Sequence, residues 1–286
     1  FDVTLIDTKN YFEFTPGILR TIVSPEHIKK VQVLHSHYLK KAKVVVGEVD
    51  EVAKDYVKIK SRKMSFDYLV ISSGSSYNAP FKESGIVITT RANHLKDCYE
   101  SLCEAKKVLI IGGGLVGVEL AGEILWRYGD EKEITIVHSK DNLIERNPEK
   151  AIRFAEKYLR KRGVKIIHNE KVVDVKKKMA FTDKNGKVDF DMVFLCTGIV
   201  TNYEFMKKNF SSKLNDRNQI KVNEFLQIDG EKNIFVSGDV AGINEEKTAQ
   251  NAERQAEAVV KNICALEKGK DLEKYQSKKT PLIISI

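Results

Sequence analysis

Between Lys106 and Leu125 the chain reads Lys-Lys-Val-Leu-Ile-Ile-Gly-Gly-Gly-Leu-Val-Gly-Val-Glu-Leu-Ala-Gly-Glu-Ile-Leu, and no other stretch constrains the fold as much. Val108 to Ile111 is an apolar run too short for a buried helix and rich in β-branched residues, so it reads as a strand buried on both faces. Gly112, Gly114 and Gly117 follow as G-x-G-x-x-G. The first glycine permits a tight turn, the second lets the backbone approach a diphosphate, and the third lets the next helix lie close on the strand. That helix carries apolar or small residues at 116, 120 and 124 and at 117, 121 and 125, and a second β-branched strand, Ile134 to Val137, comes after it. The order predicts a dinucleotide-binding unit in which Gly112, Gly114, Leu115, Val116 and Gly117 surround the phosphates at the positive end of the helix dipole. Where an acid would bind the adenosine ribose, the second strand ends in His138, Ser139 and Lys140. An acid repels a 2'-phosphate and this trio tolerates one, so NADH and NADPH are both expected, with His138 among the binding residues.

With 286 residues, 42% of them hydrophobic, the chain can bury a large core and reads best as two domains. A net charge of +8 suits anionic partners without choosing among a dinucleotide, a membrane surface and nucleic acid. The lysines are scattered, Lys176 to Lys178 being the longest run, so they read as solvated surface and no specific nucleic acid is expected. No apolar segment approaches about 18 residues and no signal peptide is visible. The expectation is a cytoplasmic protein, soluble or peripheral to a membrane. Cys98, Cys103, Cys196 and Cys264 lack metal-ligand spacing. Cys98 and Cys103 fall on an expected helix, where positions i and i+5 point in different directions, so they read as ordinary reduced cysteines rather than a dithiol. His35 and His37 share a strand face; with no third ligand nearby they read as surface or loop residues, and no metal is expected.

The N-terminal portion points to a second nucleotide. Phe1 to Ile6 has the pattern of a strand, and it ends in Asp7, as a second Rossmann strand does when it offers an acid to ribose hydroxyls. The glycine fingerprint belongs about 20 residues earlier, so the sequence is expected to be a fragment of a protein with roughly 25 more residues before Phe1. Phe66 to Ser75 is a strand running into a turn of small residues, and Asp191 to Gly198 repeats the design. Each follows a hairpin-like stretch, 44–59 and 171–190, the latter turned at Asn185-Gly186. Two copies of one plan predict two dinucleotide-binding halves. Asn233 to Asp239 is a further strand, ending in Gly238-Asp239, and a helix from Ala249 to Leu266 follows with Thr248 as its N-cap. Residues 249, 252, 256, 259, 260 and 263 are expected to form its buried face. A helix N-terminus beside Gly-Asp suits a flavin: the dipole stabilises negative charge on the reduced ring, and Asp239 accepts from ribityl hydroxyls.

Asp7, the Ser72 to Ser75 turn, the glycines at 112, 114 and 117, the Thr197-Gly198 turn and Gly238-Asp239 stand in the order and spacing of a known group. Over nearly its whole length the chain resembles the two-dinucleotide-binding-domain flavoproteins of the pyridine nucleotide-disulfide oxidoreductase superfamily. Within it the chain looks most like type II NADH dehydrogenases and apoptosis-inducing-factor homologues of the ferroptosis-suppressor type. The residues behind this are Asn10 to Pro16, the Gly117 to Glu123 helix, and Lys247 to Ala252.

The resemblance implies an α/β fold with two Rossmann-like FAD/NAD(P)-binding domains in three layers, the FAD domain discontinuous and here without its first strand and glycine loop. Residues 1–104 and 201–270 would bind FAD, 105–200 would bind NAD(P)H, and 271–286 would begin a C-terminal segment that docks on the membrane in the family. FAD would be held by Asp7, Thr15, Pro16, Val49, Ser73, Gly74, Gly238, Asp239, Thr248 and Ala249; Thr197 and Gly198 join the nicotinamide-nucleotide set. Glu119 would lie where nicotinamide meets flavin, and Gln250 matches the first glutamine of the quinone-site motif; these two are the catalytic candidates. Where type II dehydrogenases repeat glutamine one turn on, this chain has Arg254, with Gln255 one place later, which leaves the acceptor open. The implied reaction is hydride transfer from NADH or NADPH to FAD and on to an acceptor, a quinone first, with a small redox protein such as ferredoxin as the alternative. A slow flavoprotein acting through partner or nucleic-acid binding is the reading from a different class. Peripheral membrane contact and a homodimer are compatible with either. Related disulfide reductases need a cysteine in the region of Tyr11 to Ile22, where this chain has none, and Cys196 reads as a packing residue.

Overall fold

The computed structural model describes residues 1–278 and 284–286. Among the described residues eight strands enter parallel pairings: β1 (Thr4–Asp7), β2 (Lys43–Val46), β3 (Leu69–Ile71), β4 (Lys107–Ile111), β5 (Glu133–Val137), β6 (Lys165–Ile167), β7 (Met192–Leu195) and β8 (Ile234–Val236). The helices that matter most are α1 (Ile18–Val23), α2 (Ile88–Glu104), α3 (Leu115–Tyr128), α4 (Glu149–Lys161) and α5 (Ala249–Glu267). They divide between two compact units.

One unit holds Tyr11–Tyr38, Tyr77–Gly198 and the described end of the chain, 284–286. Its parallel sheet runs β6-β5-β4-β7, the 3-2-1-4 order of a doubly wound fold. The strand entering the glycines is central, as its apolar run demands: Leu109 and Ile110 are both fully buried. Register pairs Ile111 with Val137 on one side and with Leu195 on the other, so the three strand ends lie level at one edge. Val118, Leu120, Ala121 and Ile124 of α3 and Ala155 and Leu159 of α4 complete the core. α1 packs against both α3 and α2. Trp126, on the outer side of α3, is 61% exposed and carries the Arg20 guanidinium 4.0 Å above its ring. Arg91 of α2 has no exposed surface. Its Nε donates to Glu13 Oε2 at 3.0 Å, and its Nη2 to Glu13 Oε1 and the Phe81 carbonyl, each at 3.2 Å.

The other unit holds Phe1–Asn10, Leu39–Ser76 and residues 199–278. Here β1 pairs with β2, Asp7 opposite Val46, and β3 pairs with β8, Ile71 opposite Val236. The repeated plan is present in both units. An antiparallel three-stranded sheet, Glu51–Val52, Tyr56–Ile59 and Arg62–Ser65, precedes β3, as Val172–Lys176, Met179–Thr182 and Lys187–Asp189 precede β7.

Several expectations are corrected. Residues 44–46 belong to β2, a parallel partner of β1, and the antiparallel portion runs from 51 to 65 instead of ending at 59. The second antiparallel sheet has an unforeseen turn at Lys177-Lys178, both with positive φ, beside the expected one at Asn185. Such mirror-image turns match the twist of the strands they join, which overrides lysine's preference. His35 and His37 lie on a short helix, His35–Tyr38, rather than a strand; His35 is 3% exposed, with Nδ1 2.8 Å from the Tyr38 hydroxyl. Among the described residues no three potential ligands cluster as a metal site. The cysteines are free thiols, and Cys196 is buried in the core, as a packing residue should be. The buried face of α5 is Asn251, Gln255, Val259 and Asn262, whereas Val260 is 59% exposed. No described helix is long and apolar enough to cross a membrane.

Candidate dinucleotide sites

In the unit built on β4, each glycine of the fingerprint has its own surroundings. Gly112 sits at φ +111°, its N–H donating to the Val137 carbonyl at 2.8 Å; a Cβ there would stand 2.2 Å from the Cys196 carbonyl oxygen. A Cβ on Gly117 would meet the Gly112 oxygen at 2.0 Å, so helix and loop touch backbone to backbone. At Gly114 nothing lies within 4 Å of a Cβ. The first and third glycines are thus closed in by protein and the second faces open space. Gly114 is also the N-cap of α3 in extended conformation, so the N–H groups of the first turn, Leu115 and Val116 among them, have no acceptor within the helix. An open cradle lined with donors at a positive dipole end fits a diphosphate. Level with it, Gly198 has φ +106° with nothing within 4 Å of a Cβ, and Thr197 is exposed.

The His138 ring turns toward its own loop. Its Nδ1 accepts the Gly113 N–H at 3.1 Å, and its Nε2 is buried without a hydrogen-bond partner. Ser139 and Lys140 are exposed. Glu119, on α3, is half-buried; its Oε1 accepts the Ser285 N–H at 3.1 Å, and burial, aided by the nearby Glu123, pushes its carboxyl above the usual range. Thr15 and Pro16 form a one-turn helix leading into α1, from which Arg20 Nε donates to Glu123.

Of the remaining expected residues, Ser73, Gly74, Gly238 and Asp239 gather in the other unit at the ends of β3 and β8. The Ser72 and Ser237 hydroxyls meet at 2.7 Å, Ser73 donates to the Asn202 carbonyl at 2.7 Å, and Ser75 donates to Asp239 Oδ2 at 2.5 Å. Gly74 has φ +65° and open space around it. Gly238, at φ +79°, lies beside the first turn of α5: a Cβ on it would be 3.8 Å from that of Ala252. Thr248 caps the helix by accepting the Asn251 N–H at 3.3 Å, and Ala249 and Gln250 are exposed just beyond. At the end of β1, Asp7 accepts the Lys9 N–H at 2.9 Å; Val49 is half-buried against the core. A carboxylate, hydroxyls, an open glycine turn and a helix N-terminus are the chemistry that a flavin with a polyhydroxyl chain requires, so these residues fit FAD.

Sequence reasoning missed Gln255. It is 1% exposed; its Oε1 accepts the Gly238 N–H at 2.7 Å and its Nε2 donates to Glu245 Oε1 at 2.5 Å. Glu245 also receives the Tyr275 hydroxyl at 2.9 Å, while its Oε2 is buried without a hydrogen-bond partner. The available signal was the spacing of Asn251, Gln255 and Asn262, three amides along one face of a helix. Replacing Gln255 by Leu leaves the Gly238 N–H and Glu245 short of partners, so a loss of about 1–3 kcal/mol is expected. Thermal melting with and without added FAD checks this, the FAD-dependent gain shrinking in the variant.

A 3-2-1-4 sheet with a glycine cradle over its central strand, in a chain that repeats the same plan in a second unit, is the architecture of two-domain dinucleotide-binding proteins. The pyridine nucleotide-disulphide oxidoreductase family model matches residues 2–256, and the chain belongs to that family. By class it is an FAD-dependent NAD(P)H dehydrogenase, with FAD and NAD(P)H as its cofactors. It is 36% identical to apoptosis-inducing factor homolog A of Dictyostelium discoideum, over all of this chain and 77% of that protein. It is 29% identical to ferroptosis suppressor protein 1 of Taeniopygia guttata, over 99% of this chain and 79% of that one. Among solved structures it shares its fold with the sulfide:quinone oxidoreductase of Aquifex aeolicus: TM-score 0.77, 19% identity, 94% of this chain and 71% of that chain.

Proposed function

We propose that the chain takes a hydride from NADH or NADPH onto FAD and passes the electrons to a quinone. The open cradle at Gly114, closed around by Gly112 and Gly117, is the observation that carries the nicotinamide-nucleotide part. The quinone rests on the likeness of the Lys247 to Ala252 segment to type II dehydrogenases and on the quinone named for the Aquifex aeolicus neighbour. When bound, FAD supplies the two-electron chemistry. The protein's own work is holding and orienting. The Gly114, Leu115 and Val116 N–H groups receive the diphosphate, Thr197 and Gly198 border the nicotinamide half, and Ser139 and Lys140 leave room for a 2'-phosphate. In the flavin-binding portion, 1–104 and 201–270, Asp7, Thr15, Pro16, Val49, Ser73, Gly74, Gly238, Asp239, Thr248 and Ala249 hold FAD. Glu119 tunes the nicotinamide end, and Gln250, exposed on the first turn of α5, meets the acceptor.

A small redox protein as acceptor is favoured by one observation: the second glutamine of the pair is absent, Arg254 standing in its place with Nη1 3.4 Å from the Lys278 carbonyl. Peripheral contact with a membrane, where lipid-soluble quinones reside, and a homodimer belong to the same proposal. In the FAD-loaded full-length protein, NADH or NADPH added without oxygen is expected to bleach the flavin within seconds, and a soluble quinone to restore the colour over many turnovers. Bleaching without reoxidation by any quinone, but with reoxidation by a ferredoxin, would select the second acceptor. A flavin that neither nucleotide bleaches would sink the proposal.

A further inference from the structure

We infer that His138 is the positioning residue of the nucleotide loop: its neutral imidazole draws the Gly113 N–H inward, leaving Gly114, Leu115 and Val116 to present theirs to the diphosphate. The inference rests on the nucleotide-loop reading above. Gly113 is held from three directions. Its N–H donates to His138 Nδ1 at 3.1 Å, its carbonyl accepts the Ile144 N–H at 2.8 Å, and its Cα faces Leu143 so closely that a Cβ would lie 2.3 Å from Leu143 Cδ2 and 3.0 Å from His138 Cγ. Leu143 is itself fixed, its N–H donating to Glu156 Oε1 of α4 at 3.1 Å. The segment after β5 therefore grips the glycine loop from below, and His138 supplies the polar contact.

That contact fixes the protonation state. Nδ1 can accept only if it carries no proton, so the single proton of the neutral ring is on Nε2. Charging the ring puts a hydrogen on both nitrogens and turns the acceptor into a donor facing another donor. The surroundings disfavour the charge: burial lowers the basicity of His138 most, and His168 and Lys140 lower it further, while Glu145 and the Asn142 carbonyl oppose them. His168, just after β6, has Nδ1 buried without a hydrogen-bond partner, and its Nε2 lies 3.1 Å from Glu156 Oε1. Because the folded value is depressed, the grip is intact at neutral pH and persists below the ordinary imidazole value of about 6.5, being lost only as pH falls through the lowered value.

The test uses the FAD-loaded full-length protein and two variants, His138→Leu, which removes the acceptor, and His138→Asn, whose amide oxygen takes the place of Nδ1. Calorimetric titration with NADH and NADPH is expected to show Kd raised roughly tenfold to a hundredfold in the Leu variant, as an unpaired donor implies. In steady-state assays the loss should fall on KM more than on kcat. The Asn variant should bind within about threefold of wild type. Wild-type Kd should climb in acid while that of the Asn variant stays flat, and ¹⁵N spectra of the wild-type ring should report the Nε2–H tautomer. A Leu variant that binds both nucleotides as wild type does, or a ring carrying its proton on Nδ1, would overturn the inference and leave the nucleotide-loop reading standing. Wild-type protein that binds neither nucleotide would overturn both. Should the Leu variant fail to fold, the tautomer and the acid response of wild type against the Asn variant still decide.

Discussion

Gly112→Ala is expected to abolish measurable NAD(P)H binding and to lower the melting temperature by roughly 10 °C, at about 2–4 °C per kcal/mol for a protein this long. Two effects add. A side chain held at φ +111° is strained by about 1–3 kcal/mol. Its Cβ would also lie 2.2 Å from the Cys196 carbonyl oxygen, which is backbone and cannot swing aside, and overpacking of this kind costs about 1–3 kcal/mol more. Moving that carbonyl disturbs the Cys196 N–H bond to Ile111, 2.7 Å, and with it the level ends of β4 and β7 that set the cradle. Calorimetric titration and thermal melting read the two consequences separately. Gly114→Ala is the contrast: with open space around it, stability should hold while nucleotide affinity falls, because the new methyl occupies the space left for the ligand. A Gly112→Ala protein that melts and binds as wild type does would show that the loop is not the rigid cradle described above.

Removing one half of the buried pair between Arg91 and Glu13 should be as damaging to stability. Arg91→Leu strands the Glu13 carboxylate, 8% exposed, beside a hydrocarbon side chain, and breaking such a pair typically costs about 3–5 kcal/mol. The Phe81 carbonyl loses a donor in the same step. The double variant Glu13→Leu/Arg91→Leu should recover most of the loss, since the uncompensated charge is then gone. Gln32, whose Nε2 donates to Glu13 at 2.7 Å, is half-exposed and can turn to water. Glu83 keeps His94 at 3.0 Å. Denaturant melts of the two single variants and the double complete a cycle in which the singles are far from additive; additive losses would mean the pair is uncoupled.

The central strand and its cradle were legible in the sequence because each residue there has one physical use. Val108 to Ile111 can only be a buried strand, and the glycines at 112 and 117 stand where any side chain meets backbone. What escaped was wherever one residue type serves two purposes. At His138 residue type alone leaves the role of the ring open, since an imidazole accepts as readily as it donates, and this one accepts from its own loop. Helix α5 departs from its expected orientation because its inner face is amides: Asn262 Nδ2 donates to the Phe225 and Glu273 carbonyls at 3.2 and 3.0 Å, tying two loop segments to the helix. Hydrophobic periodicity points the helix the wrong way in such a case. Lys177 and Lys178 are exposed, as a solvated charge run is, and they also form a turn, because strand twist sets their φ values.

The indole of Trp126 offers an experimental handle. It is the only tryptophan in the chain, and it lies on the outer side of α3 with a guanidinium over its face. Its emission therefore follows the melting of the unit built on β4 alone, whereas far-ultraviolet dichroism sums over both units. If the two signals fall together, the halves unfold as one cooperative body; if they part, the gap between their midpoints measures how independently each half stands.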